Sequence, residues 1–183
     1  MLAILFDIAD ASISADVAVN VLTPRPGIFQ VKNLFARLYL YQAYEKLGES
    51  SRVLKCLERD YAAMLEFGST TTWENVERNG IFPARSHSHA WSACATHFFQ
   101  RLALGLKLAE PGAAIFDLSP EIDRLNFAEG HRATVKGPIY VRWEKKGNKL
   151  IITTRTPAGV ALRFRRNASM AGYDVLYNGD APL

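Results

Sequence analysis

The spacing of apolar residues divides this chain into a helical N-terminal part and a strand-rich C-terminal part. Apolar side chains recur every three or four residues over about 31–47 and again over about 50–66, which predicts two helices. Gly48 and Gly68 follow these segments, and glycine commonly ends a helix. A third periodic segment covers about 89–108. We therefore expect an antiparallel helical hairpin followed by one long helix.

After Pro111-Gly112 the apolar period changes to that of strands. Short β-branched and aromatic runs predict strands at 114–118, 139–144, 150–154 and 160–164. The run Lys145-Lys146-Gly147-Asn148-Lys149 indicates a hairpin, because Gly-Asn tolerates the positive φ of a primed turn. We expect a helical domain over 1–110 and a C-terminal antiparallel β-sandwich over 113–183. The fold class is α+β, with more than one domain.

Length and composition favour a globular protein, and the placement of the charges does not indicate nucleic-acid binding. The chain has 183 residues, of which 49% are hydrophobic, so it can bury a core. The net charge is +4, and the surplus lies in residues 113–183, which hold 11 basic and 7 acidic side chains. Many of these basic residues alternate along predicted strands, which favours a solvated sheet face over nucleic-acid binding.

Membrane and secretion signals are not evident in the sequence. No apolar run approaches the length of a membrane-spanning helix, so we expect no membrane contact. The N-terminal residues lack the basic region of a signal peptide, and Cys56 and Cys94 are typical of buried free thiols. Both features favour a cytoplasmic location. Asn167-Ala168-Ser169 matches the short glycosylation acceptor pattern, which carries little weight by itself.

Two polar stretches hold the candidate chemistry. Gly68-Ser69-Thr70-Thr71-Thr72-Trp73-Glu74 brings an acid beside a tryptophan, and Ser86-His87-Ser88-His89-Ala90-Trp91 follows it closely. Carboxylates, imidazoles and indoles in one cleft are typical of sites that process sugars. We expect no cofactor, since no phosphate loop, nucleophile triad or dinucleotide motif is present.

Each candidate residue has a structural alternative. Glu74 is either a general base or an exposed loop acid that caps the following turn. Trp73 either stacks on a pyranose ring or packs inside the protein, and the same choice applies to Trp91. His89 either donates a hydrogen bond to a sugar hydroxyl or caps a helix; His87, two positions away, should point elsewhere. A zinc site is poorly supported, because no recognised ligand spacing is present.

Other residues in and near these stretches have plainer interpretations. Thr70, Thr71 and Thr72 are expected to satisfy the backbone of their loop more often than to contact a sugar. The aromatic side chains in the first predicted helix of the hairpin have helical spacing and are expected in the core; they are Phe35, Tyr39, Tyr41 and Tyr44.

The order of these parts resembles the C-terminal part of the bacterial α-L-rhamnosidases, glycoside hydrolase family seventy-eight. The resemblance covers nearly the whole chain and is carried by Gly68–Glu74, the Ser-His-Ser-His-Ala run at 86–90, Glu110-Pro111-Gly112 and the Trp143–Lys149 hairpin. It implies an (α/α)6 barrel followed by a β-sandwich, and hydrolysis of terminal α-L-rhamnosides with inversion. By the same resemblance Glu74 would be the general base and His89 a sugar contact. Trp73 and Trp91 are the other candidate substrate-binding residues, on the chemistry of their rings.

The resemblance also implies that important residues lie elsewhere. The family's general acid precedes anything that matches this chain, and residues 1–112 have room for about four of the twelve barrel helices. We therefore expect the chain to begin inside a larger protein, to bind a rhamnoside, and to be inactive alone. The alternatives are a non-catalytic carbohydrate-binding or scaffold module, or a barrel acting on another sugar. Uncovered helix faces would favour a homo-oligomer of the isolated chain.

Overall fold

The structure is a computed structural model that describes residues 1–8, 10–23, 25–28, 31–75 and 85–182. The chain forms two compact units, Met1–Ala95 and Thr96–Leu183. The first unit is helical and the second contains two β-sheets, so the predicted α+β class is confirmed. The proposed domain boundary at Pro111-Gly112 lies within the second unit, and that division stays a prediction.

Four helices make up most of the described part of the first unit. They are α1 (Leu2–Leu5), α2 (Ala11–Leu22), α3 (Leu34–Lys46) and α4 (Ser50–Glu66). Asp10 caps α2 by accepting from the amides of Ser12 and Ile13 at 3.1 and 3.0 Å, which satisfies amides that lack partners at a helix start. The predicted hairpin is present as α3 and α4, and Gly48 takes a φ of 79° just after Leu47, the C-cap of α3.

A buried ionic cluster joins the two helices of this hairpin. Asp60 in α4 is 1% exposed, and its carboxylate accepts hydrogen bonds from Arg37 and from the hydroxyl of Tyr41, the latter at 2.7 Å. Arg59 donates to the other carboxylate oxygen at 2.7 Å. Burial raises the pKa of the Tyr41 hydroxyl, and the charge of Asp60 adds to this shift. The hydrogen bond to Asp60 raises the pKa of Arg59.

The prediction of one long helix over 89–108 is wrong. A 3₁₀ turn at Ala90–Ser92 leads into α5 (Cys94–Phe98), a π-helical turn at Phe99–Ala103 and strand β1 (Leu106–Leu108). Gly105 separates the helical turns from β1 with a φ of 80°, and a Cβ there would lie 2.2 Å from the Pro120 nitrogen. The helical period of 106–108 was therefore misleading, because Leu106 also fits the inward face of a strand.

The second unit is a β-sandwich of a three-stranded and a four-stranded sheet. After β1 the strands are β2 (Ile115–Leu118), β3 (Phe127–Arg132), β4 (Ile139–Lys146), β5 (Lys149–Thr156), β6 (Ala161–Phe164) and β7 (Asp174–Pro182). The sheet orders are β1-β2-β6 and β3-β4-β5-β7. The four predicted strands correspond to β2, β4, β5 and β6.

The expectation of purely antiparallel sheets needs a correction, because β2 pairs with β6 and β5 pairs with β7 in parallel. The other three pairs are antiparallel. The chain leaves the four-stranded sheet after β5 and returns only as β7, so no tight hairpin fixes the direction of that strand. The predicted hairpin does join β4 to β5, and Gly147 at its first central position takes a φ of 60°.

Side chains from both sheets fill one core between them. Trp143 is its largest member and is fully buried, together with Phe116, Leu118, Ile139, Val141, Leu150 and Ile152. The indole of Trp143 donates a 2.6 Å hydrogen bond to the carbonyl of Ala103 at the end of the π-helical turn. The sandwich core thus includes the turn that precedes its first strand.

Candidate functional site

The two candidate stretches pair with each other through their backbones. The amide of Glu74 donates to the carbonyl of Ser86 at 2.9 Å, and the amide of His89 donates to the carbonyl of Thr72 at 2.8 Å. The hydroxyl of Thr72 returns a 3.0 Å bond to the carbonyl of His89. The stretch with the predicted base and the stretch with the predicted histidine are therefore fixed side by side.

Glu74 is also fixed to the start of α3. Its carbonyl accepts from the amide of Leu34 at 2.9 Å, and Asn33 and Asn75 form an antiparallel bridge. The Glu74 side chain is half-buried, and its carboxylate has no hydrogen bond or ion pair to the residues that the structure describes. The backbone of Glu74 is thus held on both sides, at the start of α3 and by the second candidate stretch.

Trp73 lies in the core of the first unit and is 5% exposed. Its indole nitrogen donates to the hydroxyl of Ser69 at 3.0 Å, and its ring stacks on His87 with centroids 5.2 Å apart. Phe67 approaches the same ring edge-on at 5.8 Å. This geometry corresponds to the packing alternative for Trp73. His87 lies against Trp73, as expected if only one of the two histidines faces a ligand.

His89 and Trp91 are neighbours, and Phe35 joins them. Trp91 is 68% exposed; its ring centroid lies 5.7 Å from that of His89 and 5.2 Å from that of Phe35. Nε2 of His89 is buried and has no hydrogen-bond partner among the described residues. A buried polar atom without a partner marks a place where a polar group would be stabilising.

The expected burial of Phe35 is wrong, because 37% of this side chain is exposed. Tyr41 and Tyr44 are buried as predicted, while Tyr39 is half-buried and lies edge-on to Phe35 at 5.7 Å. Phe35 has the same helical spacing as the buried residues, so periodicity alone could not separate it from them. Its place in the first turn after the Asn33 cap was the one available signal.

Hydroxyl groups of the first stretch mainly satisfy the backbone, as expected. Ser69 donates to the carbonyl of Thr71 at 2.8 Å, and Thr71 donates to the carbonyl of His87. Tyr61 of α4 donates to the carbonyl of Ser92 and so holds the 3₁₀ turn that carries Trp91. Burial raises the pKa of the Tyr61 hydroxyl, which keeps it protonated as a donor.

Neither cysteine is in a disulfide: Cys56 is buried, and Cys94 is half-buried. Within the described ranges, no three His, Cys, Asp or Glu side chains are grouped so as to hold a metal ion. In the same residues, no helix is long and apolar enough to cross a membrane.

Comparison with known families gives a match in the second unit. Residues 105–165 match the model of the bacterial alpha-L-rhamnosidase C-terminal domain. A comparison with curated proteins finds no match. The sandwich of the second unit is therefore of a type found at the C-terminal end of sugar-cleaving enzymes.

Two solved structures narrow this class. The rhamnosidase of glycoside hydrolase family seventy-eight from Bacillus sp. GL1 is 27% identical to this chain, with a TM-score of 0.87. The similarity covers 99% of this chain and 19% of the Bacillus chain. The alpha-L-rhamnosidase from Dictyoglumus thermophilum is similar in fold, at 19% identity, with a TM-score of 0.71 over 89% of this chain and 19% of its own. The chain is thus related to the C-terminal part of bacterial α-L-rhamnosidases, as its motifs predicted, and spans about a fifth of the length of these two proteins.

Proposed function

We propose that this chain is the part of an inverting α-L-rhamnosidase that carries the general base, Glu74. Its helices would belong to an (α/α)6 barrel that other parts of a longer polypeptide complete. Those parts would also supply the general acid, so the chain alone would not hydrolyse a rhamnoside. The sugar would contact His89 and Trp91, with Trp73 supporting the base from the core.

The observation that carries this proposal is the geometry of Glu74. Its amide donates to the carbonyl of Ser86 and its carbonyl accepts from the amide of Leu34, both at 2.9 Å, while its carboxylate has no partner among the residues that the structure describes. An inverting mechanism needs a carboxylate that removes a proton from water while a second carboxyl group, about 6.5–9.5 Å away, protonates the leaving oxygen. A base must be positioned and able to accept that proton, and the fixed backbone of Glu74 together with the lack of a carboxylate partner among the described residues supports this role.

A hybrid enzyme tests the catalytic role. This chain would replace the matching fifth of the Bacillus sp. GL1 rhamnosidase, and hydrolysis of an aryl α-L-rhamnoside would be followed with and without Glu74→Gln. We expect the substitution to lower kcat by about 10²- to 10⁴-fold, since this is the typical contribution of a general base. Glu66→Gln, at the exposed end of α4, is the matched control and should leave kcat unchanged.

Calorimetry on the hybrid separates catalysis from binding. Glu74→Gln should change the affinity for rhamnose only a few-fold, because the base acts on water and not on the sugar. If the Glu74→Gln hybrid turns over at the normal rate, Glu74 is not the base. The second candidate function, a carbohydrate-binding module without chemistry, is favoured by the exposed aromatic pair Phe35 and Trp91. It would be supported if the chain binds rhamnose and Glu74→Gln has no effect on the hybrid.

A further inference from the structure

We propose that Phe35 is a further ligand-contacting residue. With Trp91 it forms an aromatic surface, the Phe35–Trp91 platform, that binds the apolar face of a pyranoside. This proposal deepens the proposed function and rests on it for the choice of sugar. The binding chemistry itself follows from the two rings and the neighbouring imidazole.

Both rings of the platform are exposed and in contact with each other. Phe35 is 37% exposed and Trp91 is 68% exposed, and their centroids are 5.2 Å apart with an interplanar angle of 43°. Removing a large aromatic side chain from water is favourable, and an exposed one does not gain this free energy. Two such rings in contact at the surface therefore indicate a place that binds an apolar group.

Separate contacts hold each ring of the platform in place. Phe35 lies in the first turn of α3, where its amide donates to the side chain of Asn33 at 2.9 Å and Tyr39 lies edge-on to its ring at 5.7 Å. Trp91 belongs to the 3₁₀ turn Ala90–Ser92, which the hydroxyl of Tyr61 holds at Ser92. The two rings thus come from separately fixed elements, which lowers the entropy cost of presenting them to a ligand.

The neighbouring imidazole indicates the kind of ligand. His89 lies edge-on to Trp91 at 5.7 Å, and its Nε2 is buried without a partner among the described residues. A pyranoside has an apolar face for the rings and hydroxyl groups for the imidazole. The methyl group of rhamnose extends that apolar face.

The test is a binding titration of the whole 183-residue chain with methyl α-L-rhamnoside, followed by ligand-observed NMR. Phe35→Leu keeps an apolar side chain without a ring and should weaken binding by about 2- to 10-fold. Phe35→Tyr keeps the ring and should retain the affinity. The matched control is Phe67→Leu, because Phe67 is 70% exposed in the same unit but contacts Trp73 instead of Trp91. It should bind as tightly as the unchanged chain.

Two results would overturn the platform. One is equal affinity for the unchanged chain and a Phe35→Leu variant whose circular dichroism shows it to be folded. The other is no binding by the unchanged chain up to about 50 mM sugar, which is weaker than an aromatic platform should allow. These results are independent of the hybrid enzyme. A loss of binding in Phe35→Leu supports the platform even if Glu74→Gln leaves hydrolysis intact, and a failed platform leaves the role of Glu74 to its own test.

Discussion

Thr72 and His89 exchange two hydrogen bonds, one from the threonine hydroxyl to the histidine carbonyl at 3.0 Å and one from the histidine amide to the threonine carbonyl at 2.8 Å. Thr72 lies two residues before Glu74, so this pair determines where the imidazole lies relative to the proposed base. A hydroxyl group that could contact a sugar is instead used to hold the site together.

Replacing Thr72 by valine should loosen this pair, because valine keeps the shape of threonine but cannot donate. We expect a loss of about 0.5–1.5 kcal/mol in the free energy of unfolding. The amide of His89 should also exchange with solvent faster, as measured by NMR. Thr72→Ser keeps the donor and should restore slow exchange. Thr70→Val, at an exposed position of the same loop, is the control. Unchanged exchange in Thr72→Val would show that the hydroxyl has no positioning role.

Replacing Asp60 by asparagine should strongly destabilise the helical unit. Arg37 is held in a largely buried position by this carboxylate, and removing one partner leaves its charge uncompensated. The expected loss is about 3–5 kcal/mol, measured by urea unfolding. Asp16→Asn on the exposed face of α2 is the matched control and should change stability by less than about 0.5 kcal/mol. Similar effects of the two substitutions would mean that the cluster contributes little to stability.

Glu121 should make the stability of the sandwich decrease as the pH rises. This side chain is 8% exposed, and its Oε1 has no partner among the described residues. Burial raises the pKa of the Glu121 carboxyl, against a smaller opposing effect of a hydrogen bond with Ser169. The folded state therefore binds the proton more tightly than the unfolded state. Stability from this group is complete below the unfolded pKa and is lost as the pH rises through the folded pKa.

Glu121→Gln removes this ionisation and should raise the melting temperature at pH 7 but not at pH 4. Thermal unfolding of the two proteins at both values measures the difference. Asp174→Asn is a control for the general effect of removing one acid from the sandwich, since Asp174 is exposed and does not act on Glu121. A variant that melts below the unchanged protein at pH 7 would show that the ionised carboxylate is stabilising.

The isolated chain should associate in solution. Several large apolar side chains of the helical unit are exposed, and they include Phe6, Ile8, Ile13, Leu65, Phe67 and Trp91. Apolar surface of this kind favours a dimer or larger assembly. Light scattering over a range of concentrations measures this, and Leu65→Lys should shift the equilibrium towards the monomer. A chain that stays monomeric at high concentration would contradict the expectation.

Much of this fold could be read from local patterns, and the exceptions have physical causes. The segment 50–66 was predicted with its observed bounds because its apolar stripe and Gly68 agree. The segment 106–108 was assigned to a helix but forms strand β1. Three residues are too few to distinguish a helical period from an extended one. Strands β3 and β7 were missed; β3 alternates exposed and half-buried residues without an apolar run to mark it. Pairing with β4 and with β5 adds to what their own side chains favour, and in β7 Val175 and Tyr177 also pack against the sandwich core.

The candidate site was predictable in composition but not in geometry. The sequence named His89 and Trp91 as candidates but did not predict that their rings would be in contact, since residues two apart on a helix point to different faces. It could not place Phe35 beside them, since more than fifty positions separate Phe35 from Trp91. Asp60 was missed for a related reason, although an acid that interrupts the apolar stripe of α4 was visible as a signal. Its partner Arg37 lies on the other helix of the hairpin.

The bond from Trp143 to Ala103 bears on how the sandwich could be produced by itself. A polypeptide that starts at Gly105, where the family match begins, would lack the acceptor for this indole and the Leu102 carbonyl that receives the amide of Glu121 at 2.9 Å. One that starts at Thr96 retains both. The longer version should therefore be the better choice for expression and crystallisation, even though its first residues lie outside the segment that matches the family model.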